Sequence, residues 1–508
     1  MCGILAAISS NRNNKHFLDA QNSIIHRGPD FQDSMSVPNK YFLGHNRLSI
    51  IDLNSRSNQP FTKNEFTIIF NGEIYNYKEL IIEHNLKVET ASDTEVILLM
   101  YKKYGRQCLK YFNGMFAIII YNTNNDDYFV ARDRLGIKPL YYYNKDDEWI
   151  FSSEIAPLQK IVKSDYDDFG LRQYRKLRMT LKGYTVYKDI KIFLPGHYLF
   201  NGHISKYWEL NNEQKTPPED DYLRWLIEDA VKIRKRSDVS IGSYLSGGLD
   251  STILTYLLKP NHTWTVGFKE LNEFKWGRLA SENLQSTHHE IKVNVDEYRK
   301  ICIDMITKRM EPLSVPNEVL IYLMTLEVKK KNTVVLSGEG ADELFWGYDR
   351  IFKWANSAQH LNLKEFDKFY SYGSNDDDEV LDFALAGLPG SDVLSKVGYF
   401  FQIYHLHGLL RRLDNSTMLC SVEARVPFVD HRLVELLSGT PFIWKMGNTF
   451  KAPLKRIFSD LIPQSIIDRK KIGFPVPLNL IFPTSSSKLS SPMDEWLSFN
   501  ISVLKGLV

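Results

Sequence analysis

The stretch IGSYLSGGLDSTILTYLL (241–258) decides the architecture of the second half of the chain. Its first five residues are an apolar run short enough for a buried strand. A Ser/Gly turn follows, and then a second apolar run, TILTYLL, of helix-forming character. A strand, a glycine turn and a helix in that order form the unit of a parallel α/β sheet, which binds ligands beyond the carboxyl ends of its strands. The turn is suited to an anion. Gly247 and Gly248 let the backbone come close, the helix N-terminus offers free N–H groups, and Ser246 and Ser251 add hydroxyl donors. There is no lysine at the GxxxxGK[ST] position, so the pattern differs from that of kinases and GTPases.

Working outward, TWTVGF (263–268) and TVVLSGEG (333–340) read as two more strands. The second leads into LSGEGADELFWGY (336–348), where ADELF favours a helix. Acids clustered at a strand end can hold a divalent cation or act on a nucleophile, although Asp and Glu also favour the first turn of a helix for its dipole alone. On the N-terminal side, Tyr222, Leu223, Leu226, Ile227, Ala230 and Ile233 fall on one helical face. The polar, Pro-containing NNEQKTPPED (211–220) reads as a linker. The patch NDDDE (375–379) reads as a solvated loop.

Residues 1 to about 205 have a different texture. FTIIFNGE (66–73), MFAIIIY (115–121), DYFVARD (127–133) and HYLFNGHI (197–204) are short β-branched and aromatic runs separated by turn residues. They predict antiparallel sheets, with a helix over DTEVILLMYKKY (93–104). The expected fold is therefore an α+β N-terminal domain with an antiparallel sheet sandwich (1–208), followed by an α/β domain with a parallel sheet (209–508). The last thirty residues carry no readable pattern.

With 508 residues, two domains are the natural division. The apolar fraction of 43% and charged fraction of 24% are those of ordinary globular protein, and the net charge of +2 without a basic block gives no reason to invoke nucleic acid. No apolar run reaches the ~18 residues of a membrane helix, and MCGILAAIS lacks the basic start of a signal peptide. Cys2, Cys108, Cys302 and Cys420 are too scattered for a disulfide framework or a metal site. A cytoplasmic, reducing setting is expected.

Cys2 has a further chemical property. With the initiator Met removed, its thiol and the α-amine share one carbon, and an amine of pKa roughly 8 can serve as base for a thiol of pKa about 8.5. A buried cysteine opening a core strand would look the same in isolation. Downstream, however, come HRGPD (26–30), GHNRLSIIDL (44–53), NGEIYNY (71–77), SDTEV (92–96), ARDRLGIKPLYY (131–142), SSE (152–154) and LPG (194–196). In the second half SGGLDS and LSGEGADELF are joined by VEARVPFVDH (422–431), FKAPLKRIF (450–458) and RKKIGFPVPL (469–478).

In this order the motifs resemble the glutamine-hydrolysing asparagine synthetase family, from residue 2 to about residue 478. The first part is similar to class II, N-terminal-nucleophile glutaminases and the second to N-type ATP pyrophosphatases. The resemblance implies that Cys2 attacks the glutamine amide and that Asn71 and Gly72 form an oxyanion hole. It implies that Arg47 holds the glutamine α-carboxylate, and Glu73 and Asp93 its α-amine. For ATP it implies Leu245, Ser246, Gly247, Gly248, Asp250, Ser251, Val266, Ser337 and Gly338. Asp250 and Asp342 would bind Mg²⁺, Glu339 would serve the acceptor and ammonia step, and Lys451 would stabilise charge on the adenylating phosphate.

The implied reaction is amidation of a carboxylate through an acyl-adenylate, with ATP and Mg²⁺ as cofactors and small molecules as partners; a homodimer is left open. Free ammonia in water would be protonated and lost, so a closed passage between the domains is expected. Aspartate is the leading acceptor. Two departures bear on that choice: Leu313-Ser314-Val315-Pro316 stands where bacterial relatives carry Thr-Thr-Ile-Arg, and Trp346 stands where the common pattern has Gly. A different carboxylate, such as a uronic acid or a secondary-metabolite acid, is the alternative.

Overall fold

In a computed structural model, residues 2–372, 376–470, 473–483 and 491–507 are described. Two six-stranded antiparallel sheets form the N-terminal half, and a five-stranded parallel sheet forms the C-terminal half.

The strand Cys2–Ile8 is buried along its whole length, because CGILAAI has no polar side chain to direct towards water. It pairs on one side with Tyr41–Arg47 and on the other with Glu148–Ser152. The register sets Cys2 opposite Arg47. In the facing sheet, Phe66–Ile74 and Gly114–Asn122 pair over nine residues. Ile4, Ala6, Ile8 and Leu43 from the first sheet pack with Ile69, Ala117, Ile119 and Val130 from the second, so the sandwich core is aliphatic.

The helix Asp93–Tyr104 has the predicted bounds, with the Ser92 side chain accepting from Thr94 N–H at its start. The run 197–204 is two strands, His197–Phe200 and His203–Lys206, turned at Asn201-Gly202. An Asn-Gly pair is itself a hairpin signal.

In the second half, Ile241–Tyr244 lies between His262–Phe268 and Val334–Leu336, all parallel. These are the three predicted strands. Thr287–Val293 and Glu423–Arg425 add the two edges. The helix Asp220–Ile233 buries Leu223, Leu226, Ile227, Ala230 and Ile233, while Tyr222 is half-exposed and stacks on Trp225 instead. The segment 211–220 runs without regular structure up to that helix, strapped down by Lys215, which donates its N–H to the Gly439 carbonyl and its ammonium to the Glu435 carbonyl.

The acidic patch differs from expectation. Asn375 lies outside the described residues, but Asp378–Leu385 is a helix whose N-cap, Asp377, accepts from Val380 N–H and pairs with Arg172 at 2.7 Å. The acids there act as a cap and a first helical turn. The C-terminal tail also has structure: Pro492–Leu504 is a helix closed by a capping box between Ser491 and Asp494.

Candidate active sites in the two halves

Cys2 is buried at the end of its strand, and its backbone nitrogen donates to Asn71 Oδ1 across the sandwich at 3.0 Å. The Asn71 Nδ2 donor is buried without a hydrogen-bond partner, the state of a donor reserved for a substrate oxygen. Gly72 is required by the fold: a Cβ there would stand 2.0 Å from the Met115 carbonyl oxygen on the paired strand. Arg27, from HRGPD, binds the Cys2 carbonyl at 3.2 Å, Glu154 of the SSE motif at 3.0 Å and Asp414 at 2.9 Å. Asp414 belongs to the C-terminal half, so the strand that begins at Cys2 is tied to that half through the buried Arg27 guanidinium.

Arg47 is held in place by oxygens that carry no net charge: the carbonyls of Asn54 at 3.1 Å and Asp52 at 2.5 Å, and Asn58 Oδ1 at 2.6 Å. That fixes its fork while leaving its charge uncompensated by these partners. Asp93 is buried at the first turn of its helix and accepts from Ile74 N–H at 2.8 Å. Burial raises its carboxyl to about 6. Glu73 is also buried; desolvation and then the nearby Glu423 push it well above the usual carboxylate range, and Arg425, 3.5 Å away, works in the opposite direction. Two buried acids and a fixed guanidinium, the latter opposite Cys2 in the sheet register, match the charge pattern of an α-amino acid.

The second site sits where three neighbouring parallel strands end. The SGGLDS loop braces itself: Ser246 Oγ and Ser251 Oγ are 3.1 Å apart, and Gly248 N–H donates to Ser246 Oγ at 3.3 Å. Gly247 has φ +70 and packs against Trp276, where a Cβ would lie 2.3 Å from its carbonyl carbon. Its carbonyl accepts from Arg469 at 2.8 Å. Ser246, Gly248, Asp250 and Ser251 line a cleft of about 610 Å³, and Leu245 and Val266 form part of its wall. Gly247 supports the loop from behind.

Ser337, Gly338, Glu339 and Asp342 line the same cleft. Gly338 lies so close to the first loop that a Cβ would be 3.2 Å from the Asp250 Cβ. Lys451 closes the floor, with Nζ 2.5 Å from both Asp250 and Asp342. Burial works against its charge, but the two carboxylates outweigh burial and hold the ammonium above the ordinary lysine range. All three residues come from separate segments of the sequence, so the cluster exists only in the folded chain. Asp250 and Asp342 supply hard oxygen donors of the kind Mg²⁺ takes together with substrate phosphates, which fits the pair to that ion. No group of three or more metal-binding side chains occurs among the described residues.

Cleft residues that were not foreseen include Arg412 and Glu343. Arg412, on the helix Leu406–Met418, is buried, forms an ion pair with Glu339 and donates to Asn317 Oδ1 at 3.2 Å. Glu343 is buried beside Tyr348, whose hydroxyl donates to it at 2.7 Å; desolvation, then Asp342, raises its carboxyl to about 8. Of the departing stretch 313–316, Val315 and Pro316 line the cleft. Leu313 is buried away from it, its carbonyl accepting from Tyr174 at 2.8 Å. Trp346 stacks on Phe352 with ring centroids 5.0 Å apart, so it packs into the adjoining helical layer. No helix among the described residues is long and apolar enough to cross a membrane.

The model of the glutamine amidotransferase domain matches residues 1–209, and that of asparagine synthase matches residues 222–501. Asparagine synthetase [glutamine-hydrolyzing] 1 of Bacillus subtilis (strain 168) is 31% identical, over 93% of this chain and 84% of its own length. Asparagine synthetase [glutamine-hydrolyzing] 3 of the same organism is 29% identical over 98% and 89%. Asparagine synthetase B [glutamine-hydrolyzing] of Escherichia coli (strain K12) is 28% identical over 91% and 78%. Two family matches in series, set against a thiol site in one half and a strand-end cleft in the other, lead to one assignment: the chain belongs to the asparagine synthase family, with a glutamine amidotransferase domain at its head.

Proposed function

We propose that the protein is a glutamine-hydrolysing asparagine synthetase, converting aspartate to asparagine with ATP. The observation that carries this reading is the convergence of Asp250, Asp342 and Lys451 beside the SGGLDS loop, in the same chain as the buried Cys2–Asn71 pair. Residues 1–208 would form the glutaminase and 209–508 the synthetase.

In the first half, the Cys2 nitrogen becomes the α-amine once Met1 is removed. It takes the thiol proton as sulfur attacks the glutamine amide. Asn71 Nδ2 and the Gly72 backbone N–H stabilise the oxyanion, Arg47 grips the α-carboxylate, and Glu73 and Asp93 hold the α-ammonium. Ammonia leaves, and water releases glutamate from the thioester.

In the second half, Leu245 and Val266 flank the nucleotide, while Ser246, Gly247, Gly248, Ser251, Ser337 and Gly338 shape the phosphate pocket. The carboxylate attacks the α-phosphate, giving an acyl-adenylate and pyrophosphate. Asp250 and Asp342 would hold Mg²⁺, which when bound neutralises phosphate charge. Lys451 supplies fixed positive charge to the same phosphates. Glu339 serves the attack of ammonia on the acyl carbon, which expels AMP. The cytoplasm is the proposed setting, with no nucleic-acid or membrane partner.

The test is product analysis. Purified protein with glutamine, ATP, Mg²⁺ and aspartate is expected to form asparagine, AMP and pyrophosphate in equal amounts. Glutamate release without asparagine would overturn aspartate as acceptor.

A further inference from the structure

The charged side chains that line the cleft pair off almost completely. Lys451 is matched to Asp250 and Asp342, Arg412 to Glu339, and Arg469 to Glu273. Glu343 is buried and accepts from the Tyr348 hydroxyl at 2.7 Å. Lys455 lies one helical turn beyond Lys451 and donates to Thr449 Oγ1. Arg178 and Lys455 are thus the two lining cations without a carboxylate partner among the described residues, and of the two only Arg178 comes from the first half of the chain. It lines the cleft, no carboxylate pairs with it among the described residues, and its Nε is buried without a hydrogen-bond partner.

The setting of Arg178 is specific. It follows the helix Asp168–Leu177 in the left-handed conformation, φ +64, so it belongs to the first half of the chain and reaches the cleft of the second. Its guanidinium sits 4.5 Å from the Tyr372 ring centroid and 5.5 Å from that of Tyr370. Aromatic faces steady a cation without neutralising it. His405, packed on Tyr370 and Tyr348, is held down to about 3 by burial, then by Arg178 and Arg412, so it adds no charge of its own. A small cavity shared by Arg178 and Arg412 lies beside the cleft, which sets the two guanidiniums at the same end as Glu339. That end also contains Val315 and Pro316, where no side chain can pair with an anion.

We infer that Arg178, steadied by Tyr370 and Tyr372, is a specificity-determining residue that binds a second anionic group of the acceptor, one that is not amidated. This rests on the acyl-adenylate reading above and names the acceptor's chemistry: a carboxylate carrying another oxyanion. The α-carboxylate of an amino acid and the phosphate of a phosphorylated sugar acid both meet that requirement. Binding costs no bond making or breaking and needs no further reactant.

The test compares wild type with Arg178→Gln and Arg178→Lys, reading acceptor-dependent pyrophosphate release. Aspartate, aspartate α-amide, a uronic acid and its 1-phosphate serve as acceptors. For whichever dianionic acceptor the wild type uses, Arg178→Gln is expected to raise KM about 10- to 100-fold, with Arg178→Lys recovering part of the loss. The KM for ATP and glutamine hydrolysis at Cys2 should stay as in wild type. The aspartate and sugar-phosphate arms identify the source of the anion. An unchanged acceptor KM in Arg178→Gln, or equal use of the monoanionic analogue by wild type, would overturn the inference. Absence of pyrophosphate release from wild type with every carboxylate would instead overturn the reaction on which it rests.

Discussion

Arg425 places its Nη2 3.5 Å from Glu73 Oε1, joining the edge strand of the parallel sheet to the strand that carries the proposed glutamine pocket. Arg425 is also fixed by Glu423 at 2.5 Å and by the carbonyls of Arg234 and Arg236. Glu73 therefore has its charge stabilised from the other domain. Both pocket acids must be ionised to hold a substrate ammonium, and both are raised, Asp93 to about 6 and Glu73 well above its usual value. As pH falls through 6 the ionised fraction shrinks, so kcat/KM for glutamine hydrolysis should fall on that side. Arg425→Met removes a positive charge that favours ionised Glu73, and the acid limb should move to higher pH. A glutaminase pH profile between 5 and 9 checks both statements; a limb that stays in place would disconnect Arg425 from the pocket.

Division of labour between the halves predicts the behaviour of Cys2→Ala. The Cys2 backbone nitrogen donates to Asn71 in the first half, and Cys2 is not among the residues that line the cleft of the second. Glutamine-dependent amide formation should disappear, while synthesis from ammonium salts and pyrophosphate release persist near wild-type rates. Loss of both in protein of unchanged thermal midpoint would count against the two-site scheme.

Lys451→Met tests the other half. The variant leaves Asp250 and Asp342 facing each other across the floor without the ammonium 2.5 Å from each. Removing one preorganised charge from a phosphoryl-transfer site costs about 2.7–4 kcal/mol, or roughly 10²–10³ in rate. Pyrophosphate release should drop by that factor, with glutamine hydrolysis retained. A drop below tenfold would assign Lys451 to structure alone.

How far the sequence carries this account depends on where each element hides its polar groups. The helix Asp93–Tyr104 is legible to the residue because apolar spacing and a Ser cap agree. Thr287–Val293 is not: THHEIKV lies at a sheet edge, half-exposed, and its alternation of polar residues resembles a loop. Glu423–Arg425 is three residues long, and its charges are buried only because they pair with each other and with Glu73. The motifs identify Asp250, Glu339 and Lys451, whereas Arg412 reads as an ordinary charge on a helix until the fold turns that face onto Glu339. The helix Pro492–Leu504 was missed, although the Ser491 and Asp494 of its capping box stand in SPMD at the spacing that marks a helix start.

Asp430 gives the clearest stability prediction. It is fully buried and accepts from Arg234 at 2.8 Å, Arg432 at 2.9 Å and, from the other half of the chain, Asn113 at 3.2 Å. It also caps the helix His431–Leu437. Burial alone would raise its carboxyl, but Arg234 and then Arg432 outweigh that and hold it well below the usual range. A carboxylate with a depressed folded-state pKa contributes stability that is present above the unfolded value and lost as pH falls through the folded one. Asp430→Asn keeps the shape and one acceptor but leaves Arg234 buried without its counter-charge. Breaking one partner of a buried pair costs about 3–5 kcal/mol, far above the surface average. The variant should unfold several degrees below wild type at pH 7, and the gap should narrow only below about pH 4, where the unfolded carboxylate takes up a proton that the folded one does not. Calorimetry at pH 7 and about pH 2 measures both; a gap that stays constant down to the lower pH would reduce Asp430 to a helix cap.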